Sequence, residues 1–303
     1  MLLAHLSDVH LGPLPPVHWS QLIGKRITGY VNWRRNRAAS MGGDALGALT
    51  ADLLAQAPDH IAVSGDLTNL ALPMEIARAG EWLRRLGDPE DVSVVPGNHD
   101  AYVPGALAAV TRAWAPWMTG ERDGAPYPFA RVAGQVAGQV AIIGCSTAEA
   151  TAPLMATGPF RTDQAQRLET LLGRLEGRFR VVVVHHPPVR GATASSHAMR
   201  GIERFRGAVA RGGAELVLHG HTHLPTLDAI PTPRGDVPVL GVSAAGQEAG
   251  GRRPPARYNL VRIGGGPGAW SATRIERGIA PDAAPGTAEI VEIGRAPLGV
   301  PNG

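Results

Sequence analysis

Gly97-Asn98-His99-Asp100 sets an amide, an imidazole and a carboxylate side by side immediately after the apolar run Val92, Val94 and Val95. Pro96 and Gly97 turn the chain out of that run, so the three polar side chains sit at the carboxyl end of a buried strand, where sites in α/β sheets form. Four more blocks have the same setting: Asp8-Val9-His10, Gly65-Asp66, His185-His186 and Gly220-His221-Thr222-His223. Each follows a short apolar segment. Any one block has an ordinary structural explanation, but five strand ends that deliver carboxylate, imidazole and amide groups make a metal-ligand inventory.

Spacing gives the donors different parts. Asp8 and His10 stand two apart, so both can clasp one ion from the end of a strand, and His221 and His223 repeat that interval. Asp66 stands alone at its strand end, placed to lend one oxygen to each of two ions. Asn98 offers a neutral carbonyl oxygen, and either His185 or His186 a further nitrogen, because alternation along a strand lets only one of the pair face the site. Several imidazoles per ion suit Mn, Fe or Zn over Mg or Ca. With Cys145 the only cysteine, a thiolate zinc cage and an intramolecular disulfide are both excluded.

The elements that must hold these blocks alternate between strand and helix. Leu2 to Leu6 is expected as the first strand, Asp44 as the cap of a helix through Ala57, and Ile61 to Ser64 as the strand into Asp66. Pro73 opens a helix that Gly87 stops. After Asp100 come a helix near Ala106 to Trp117, strands near Phe129 to Val132 and Val140 to Gly144, and a helix capped by Thr162 with Leu168, Leu171, Leu172 and Leu175 on one face. Val181 to Val184 are four β-branched residues leading into His185. A helix near Glu203 to Arg211 precedes Leu216 to Leu218. From Thr226 onward the pattern becomes antiparallel strands joined by Gly and Pro turns, with an irregular tail from 278 to 303 beyond a domain of residues 1 to 277.

The 303 residues, 44% hydrophobic and 18% charged, are enough to bury a full core. A net charge of +3 permits contact with anionic substrates without demanding a nucleic acid polymer. The first residues read as a strand rather than a secretion signal, and no apolar run is long enough to cross a membrane, so a cytoplasmic protein is expected.

Residues 13 to 43 break the rhythm. They hold no Asp or Glu but carry Lys25, Arg26, Arg34, Arg35 and Arg37, with Trp19, Leu22, Ile23, Ile27, Tyr30 and Val31 at helical spacing. A cap packed on the body with a solvated basic edge is one expectation. A lid or membrane-surface contact is the other, since Trp19, Tyr30 and Trp33 beside five cations suit a lipid head group.

The five blocks, in this order, resemble the calcineurin-like metallophosphoesterase superfamily, whose pattern runs Asp-x-His, Gly-Asp, Gly-Asn-His-Asp/Glu, His and Gly-His-x-His. The resemblance spans residues 8 to 223 and implies an α/β fold, a four-layer αββα sandwich of two mixed β-sheets flanked by helices. It implies that Asp8, His10, Asp66 and His223 hold a first ion and Asp66, Asn98, His185 and His221 a second, with His185 preferred over His186. Two such ions activate water for in-line attack at phosphorus. His99 would then neutralise or protonate the leaving oxygen, and Asp100 would orient its ring. The size and the His-His-Pro-Pro segment look most like bacterial cyclic-nucleotide and glycerophosphodiester phosphodiesterases, so a small-molecule phosphodiester is the expected substrate. The basic aromatic insert departs from that pattern and leaves room for a lipid-linked nucleotide pyrophosphate of the UDP-diacylglucosamine type. A non-catalytic binding module of the same fold is the rival class.

Overall fold

The computed structural model describes residues 1–37, 44–122, 124–133 and 140–301. In chain order it forms β1 (Leu2–Leu6), α1 (Lys25–Asn32), α2 (Ala45–Ala55), β2 (His60–Val63), α3 (Pro73–Leu86), β3 (Val92–Val94), α4 (Ala106–Ala113), β4 (Phe129–Ala133) and β5 (Val140–Gly144). There follow β6 (Gly158–Pro159), α5 (Thr162–Arg174), β7 (Phe179–Val183), β8 (Met199–Arg200), α6 (Ile202–Gly212), β9 (Leu216–His219), β10 (Leu227–Ile230), β11 (Val237–Gly241), β12 (Arg257–Gly264), β13 (Ser271–Ile279) and β14 (Ile290–Leu298).

Two six-stranded mixed sheets result, ordered β14-β13-β12-β1-β2-β3 and β10-β11-β9-β7-β5-β4. In the first, β1, β2 and β3 run parallel and β12 is antiparallel to β1. In the second, β5, β7, β9 and β11 run parallel, with antiparallel β4 and β10 at the edges. Alternation decides what each face of β7 meets. Val181 and Val183 enter the core shared with β1 to β3, while Val182 and Val184 enter a second core with Leu168, Leu171 and Leu172 of α5 and Phe205 and Val209 of α6. Burying each such side chain stabilises the fold by roughly 1.5–3 kcal/mol. Helices thus cover one face of the second sheet, and α2 and α3 contribute Leu49, Leu53, Ile76 and Leu83 to the core of the first.

Several expectations change. The irregular tail expected from 278 holds a strand: β14 pairs with β13 over its length, shifting register between Glu276 and Arg277, while residues 302 and 303 lie outside the described residues. Most of its side chains are exposed or half-buried, so an edge strand here carries no apolar pattern to read. Asp44 sits at the N-cap of α2 without a side-chain cap bond, and the Ala45 N–H donates to Glu248 Oε1 instead. Thr162 is the first helical residue of α5 rather than its cap. The helix expected through Trp117 ends at Ala113 and yields to a 3-10 turn, Ala115–Met118. Within the insert, Gly24 at φ 79° separates a 3-10 turn, Trp19–Leu22, from α1, which continues as a π-helical turn, Trp33–Arg37. The Arg37 side chain and residues 38–43 lie outside the described residues.

Candidate metal centre

All five blocks emerge at the carboxyl ends of β1, β2, β3, β7 and β9 and meet between the two sheets. The chain must turn sharply there to aim short polar side chains back over the strand ends. Among the described residues eight non-glycines have positive φ, and five of them are Asp8, His10, Asp66, His221 and His223. Asp and His tolerate the left-handed region better than most residues, yet each such residue still costs on the order of 1–3 kcal/mol and persists where the surroundings impose it. Close approach fixes the glycines: a Cβ at Gly97 would collide with Asp66 Oδ1, and one at Gly220 with Ser7 Oγ.

Three overlapping groups of donors converge: Asp8, His10 and His223; His10, Asp66 and His99; and Asp66, His185 and His221, each with its ligand atoms within 4.8 Å of one another. His223 Nε2 lies 3.2 Å from Asp8 Oδ1, and His10 Nε2 lies 3.8 Å from Asp66 Oδ2. The same Asp66 oxygen is 3.3 Å from His185 Nε2. Asn98 Oδ1 is 3.1 Å from His185 Nε2 and 2.9 Å from His221 Nδ1. Asp66 therefore stands between two donor sets through one oxygen, Oδ2, rather than with one oxygen for each, because its Oδ1 accepts from the His99 N–H at 2.7 Å.

Backbone carbonyls set the tautomers, since a carbonyl can only accept. His10 Nδ1 donates to Thr68 O at 3.0 Å, His185 Nδ1 to Ser64 O at 2.7 Å, and His221 Nε2 to His197 O at 2.9 Å. In His10 and His185 the opposite nitrogen is left facing Asp66 Oδ2, the arrangement typical of metal-ligating histidines, while in His221 it faces the Asn98 amide oxygen. His186 differs: its Nε2 donates to Ala156 O at 3.0 Å and its Nδ1 accepts from the Thr147 hydroxyl at 2.7 Å. Both nitrogens are used, so of the adjacent pair it is His185 that joins the donor cluster.

The charges fit a cation. Burial alone would raise the Asp66 carboxyl, but His185, His99 and His10 hold it well below the usual range; for Asp8, His223 and His185 overcome burial in the same way. Burial would lower His185, yet Asp66 and Asp8 push it up to about 9. Asp8 Oδ1 is buried without an aligned hydrogen bond. A buried pair of carboxylates drawing protons onto a neighbouring imidazole, with a carboxylate oxygen left to spare, is a donor set suited to divalent metal.

Asp100 has a different part from the one expected. Its Oδ2 accepts from the N–H groups of Asp66 and Gly97 at 2.9 Å each, and its Oδ1 from Leu67 N at 3.0 Å, Thr68 N at 2.9 Å and Thr68 Oγ1 at 3.0 Å. The His99 ring is instead oriented by the Asn69 carbonyl, to which Nδ1 donates at 2.6 Å, and by Tyr102, stacked on it at 5.3 Å. Asp100 ties the Asp66 turn to the Gly97 turn. The stacking ring and Lys25 are additions that no motif signalled. Lys25 Nζ donates to Thr151 Oγ1 at 2.7 Å and Met155 O at 2.9 Å and lies 4.7 Å above the Tyr102 ring. One signal was available: Lys25 is the only lysine in a chain rich in arginine. Above the donors opens a groove of about 930 Å³ lined by Lys25, Asn98, His99, Tyr102, His197 and Arg253 among others.

The calcineurin-like phosphoesterase family model matches residues 1–225, and the chain belongs to that family. No curated protein matches it in sequence. Among solved structures it is similar to GAP50, the anchor in the inner membrane complex of Plasmodium, at 12% identity and TM-score 0.54 over 99% of this chain and 89% of that one. It is also similar to purple acid phosphatase PPD1 from yellow lupin seeds, at 12% identity and TM-score 0.51 over 91% and 51%. The 5'-nucleotidase precursor from Thermus thermophilus gives 16% identity and TM-score 0.48 over 99% and 54%. The chain spans about half the length of the last two. At these identities the likeness is one of fold.

Proposed function

We propose that the protein is a dinuclear metal-dependent phosphohydrolase acting on a phosphodiester. One observation carries this: seven donors from five strand ends meet in overlapping groups linked through His10 and Asp66. Asp8, His10, Asp66 and His223 would hold one ion and Asp66, Asn98, His185 and His221 the other, with Mn, Fe or Zn favoured by the imidazoles. When bound, such a pair supplies activated water near neutral pH and positive charge for phosphate oxygens.

The chain's own groups do the rest. His99, held through Nδ1 by Asn69 and flat against Tyr102, passes a proton from Nε2 to the departing oxygen. Lys25 lends a cation to the groove wall, and burial lowers its pKa to about 8 while Asp66 opposes the shift. The breadth of the groove supports a diester, because an ester group on each side of phosphorus finds room.

The test is metal reconstitution followed by parallel turnover on a bis-aryl and a mono-aryl phosphate. Binding of about two ions per chain with faster diester cleavage is expected, both lost in Asp66→Asn. Faster monoester cleavage overturns the diester assignment. A fully loaded protein that cleaves neither overturns the hydrolase.

A further inference from the structure

The insert helix is inside out. Its body-facing side carries Arg26, whose guanidinium donates to the Leu70 and Ala71 carbonyls at 2.9 and 2.7 Å, and Gly29, pressed against the Tyr102 hydroxyl. Leu22 and Tyr30 pack there on Leu70, Leu72 and Tyr102. The solvent side of α1 holds Ile27 and Val31, 55 and 41% exposed, and the turn that leads into it across Gly24 exposes Trp19 and Ile23, 73 and 70%. A helix that only capped the body would turn these side chains inward and leave its cations in water. Here Lys25 and Arg26 point in and the apolar stripe points out.

The stripe does not end with the helix. Lys25 ties α1 to the loop through Thr151 and Met155, and Leu154 in that loop is 84% exposed in a left-handed conformation. Leu154, Met155, Lys25, Thr28 and Asn32 all line the groove above the donors, so the apolar surface reaches the rim of the site. Beyond Val31 the chain exposes Arg34 and Arg35, which have no carboxylate partner among the described residues. No acidic residue occurs between 13 and 43.

We infer that this face, Trp19 to Val31 with Leu154 and the Arg34–Arg35 pair, docks on an anionic lipid bilayer. An apolar stripe that starts with tryptophan and is bordered only by cations is the composition of an interfacial helix: the side chains enter the acyl boundary and the guanidinium groups meet anionic head groups. The absence of any carboxylate between residues 13 and 43 supplies the charge complementarity. Docked this way, the groove opens at the bilayer surface. Lipid binding does not depend on the hydrolase assignment, so binding and turnover can fail separately.

The experiment is sedimentation of the full chain with phosphatidylcholine vesicles, with and without phosphatidylglycerol. Wild type is expected to partition onto the anionic vesicles and to leave them as salt rises. Each cation near the surface contributes about fivefold, so Arg34→Glu with Arg35→Glu should lower partitioning by about 25-fold or more. Ile23→Asp with Ile27→Asp should do likewise; both positions are exposed, so turnover on a soluble aryl phosphate should stay at the wild-type level. Lipids brominated on the acyl chain should quench tryptophan fluorescence less in Trp19→Ala, because Trp82, Trp114, Trp117 and Trp270 are buried and only half-buried Trp33 remains beside it. Equal partitioning onto neutral and anionic vesicles overturns the inference, as does binding that survives both double variants. A dimer that Ile27→Asp dissociates, without vesicle binding, assigns the face to a second copy of the chain instead.

Discussion

Replacing Asp100 by asparagine keeps the shape of the side chain and removes one acceptor. Oδ2 accepts two N–H groups at 2.9 Å and Oδ1 accepts two N–H groups and a hydroxyl at 2.9 to 3.0 Å, so an NH₂ at either place faces at least two donors. Hydrogen bonds to a charged group contribute about 1.5–3 kcal/mol each, and two lost together give roughly 3–6 kcal/mol. That is a large part of the roughly 5–15 kcal/mol that holds a typical domain folded. The assay is urea unfolding of metal-stripped wild type and variant, since bound metal would add stability by mass action. It belongs at about pH 8, because burial, with Asp66 close by, pushes the Asp100 carboxyl up to about 7. The variant should also reload with less metal, because the turns that carry Asp66 and Gly97 are no longer tied. Unfolding free energies within about 1 kcal/mol, with full metal content and lost turnover, would refute the tie and give Asp100 a direct part at His99.

His99→Ala should keep its metal and lose about 10²–10⁴ in turnover on a diester with a poor leaving group, with a smaller loss for a good one; equal losses count against proton donation. Metal uptake near pH 7.5 should release about one proton per chain from His185, whose pKa stands at about 9 without metal; titration calorimetry in buffers of different ionisation enthalpy measures it. Lys25→Met should raise KM for an anionic substrate about tenfold or more with kcat and metal content little changed; an unchanged KM removes Lys25 from substrate binding. Burial, aided by Arg131, lowers His60 from 6.5 to about 3. Between those values the unfolded chain binds a proton that the folded one refuses, so stability is full above 6.5 and falls as the pH drops toward 3. The slope should reach about 1.4 kcal/mol per pH unit for this group and flatten in His60→Gln, read from unfolding midpoints across that range.

The donor set was legible because metal ligation needs particular residue types at strand ends, and Val181 to Val184 announce such an end by composition alone. What was not legible depends on partners distant in sequence. Asp100 follows His99, and adjacency suggested a local role, but its donors are N–H groups at 66, 67, 68 and 97. Alternation showed that one of His185 and His186 must turn away, and only Thr147 and Ala156 show which. Periodicity revealed the stripe from Trp19 to Val31 but not its direction, which is set by the carbonyls that receive Arg26. The strand Ile290–Leu298 lies at a wet edge, where no side-chain pattern is required.

The donors are divided between the two sheets: Asp8, His10, Asp66 and Asn98 follow strands of one, and His185, His221 and His223 follow strands of the other. Cations held by both sets would act as rivets across the sandwich, so turnover and the cohesion of the two halves would rest on the same few bonds. Chelation should consequently speed amide hydrogen exchange in β1 and β7 together, with the far edge strand β14 left as it was.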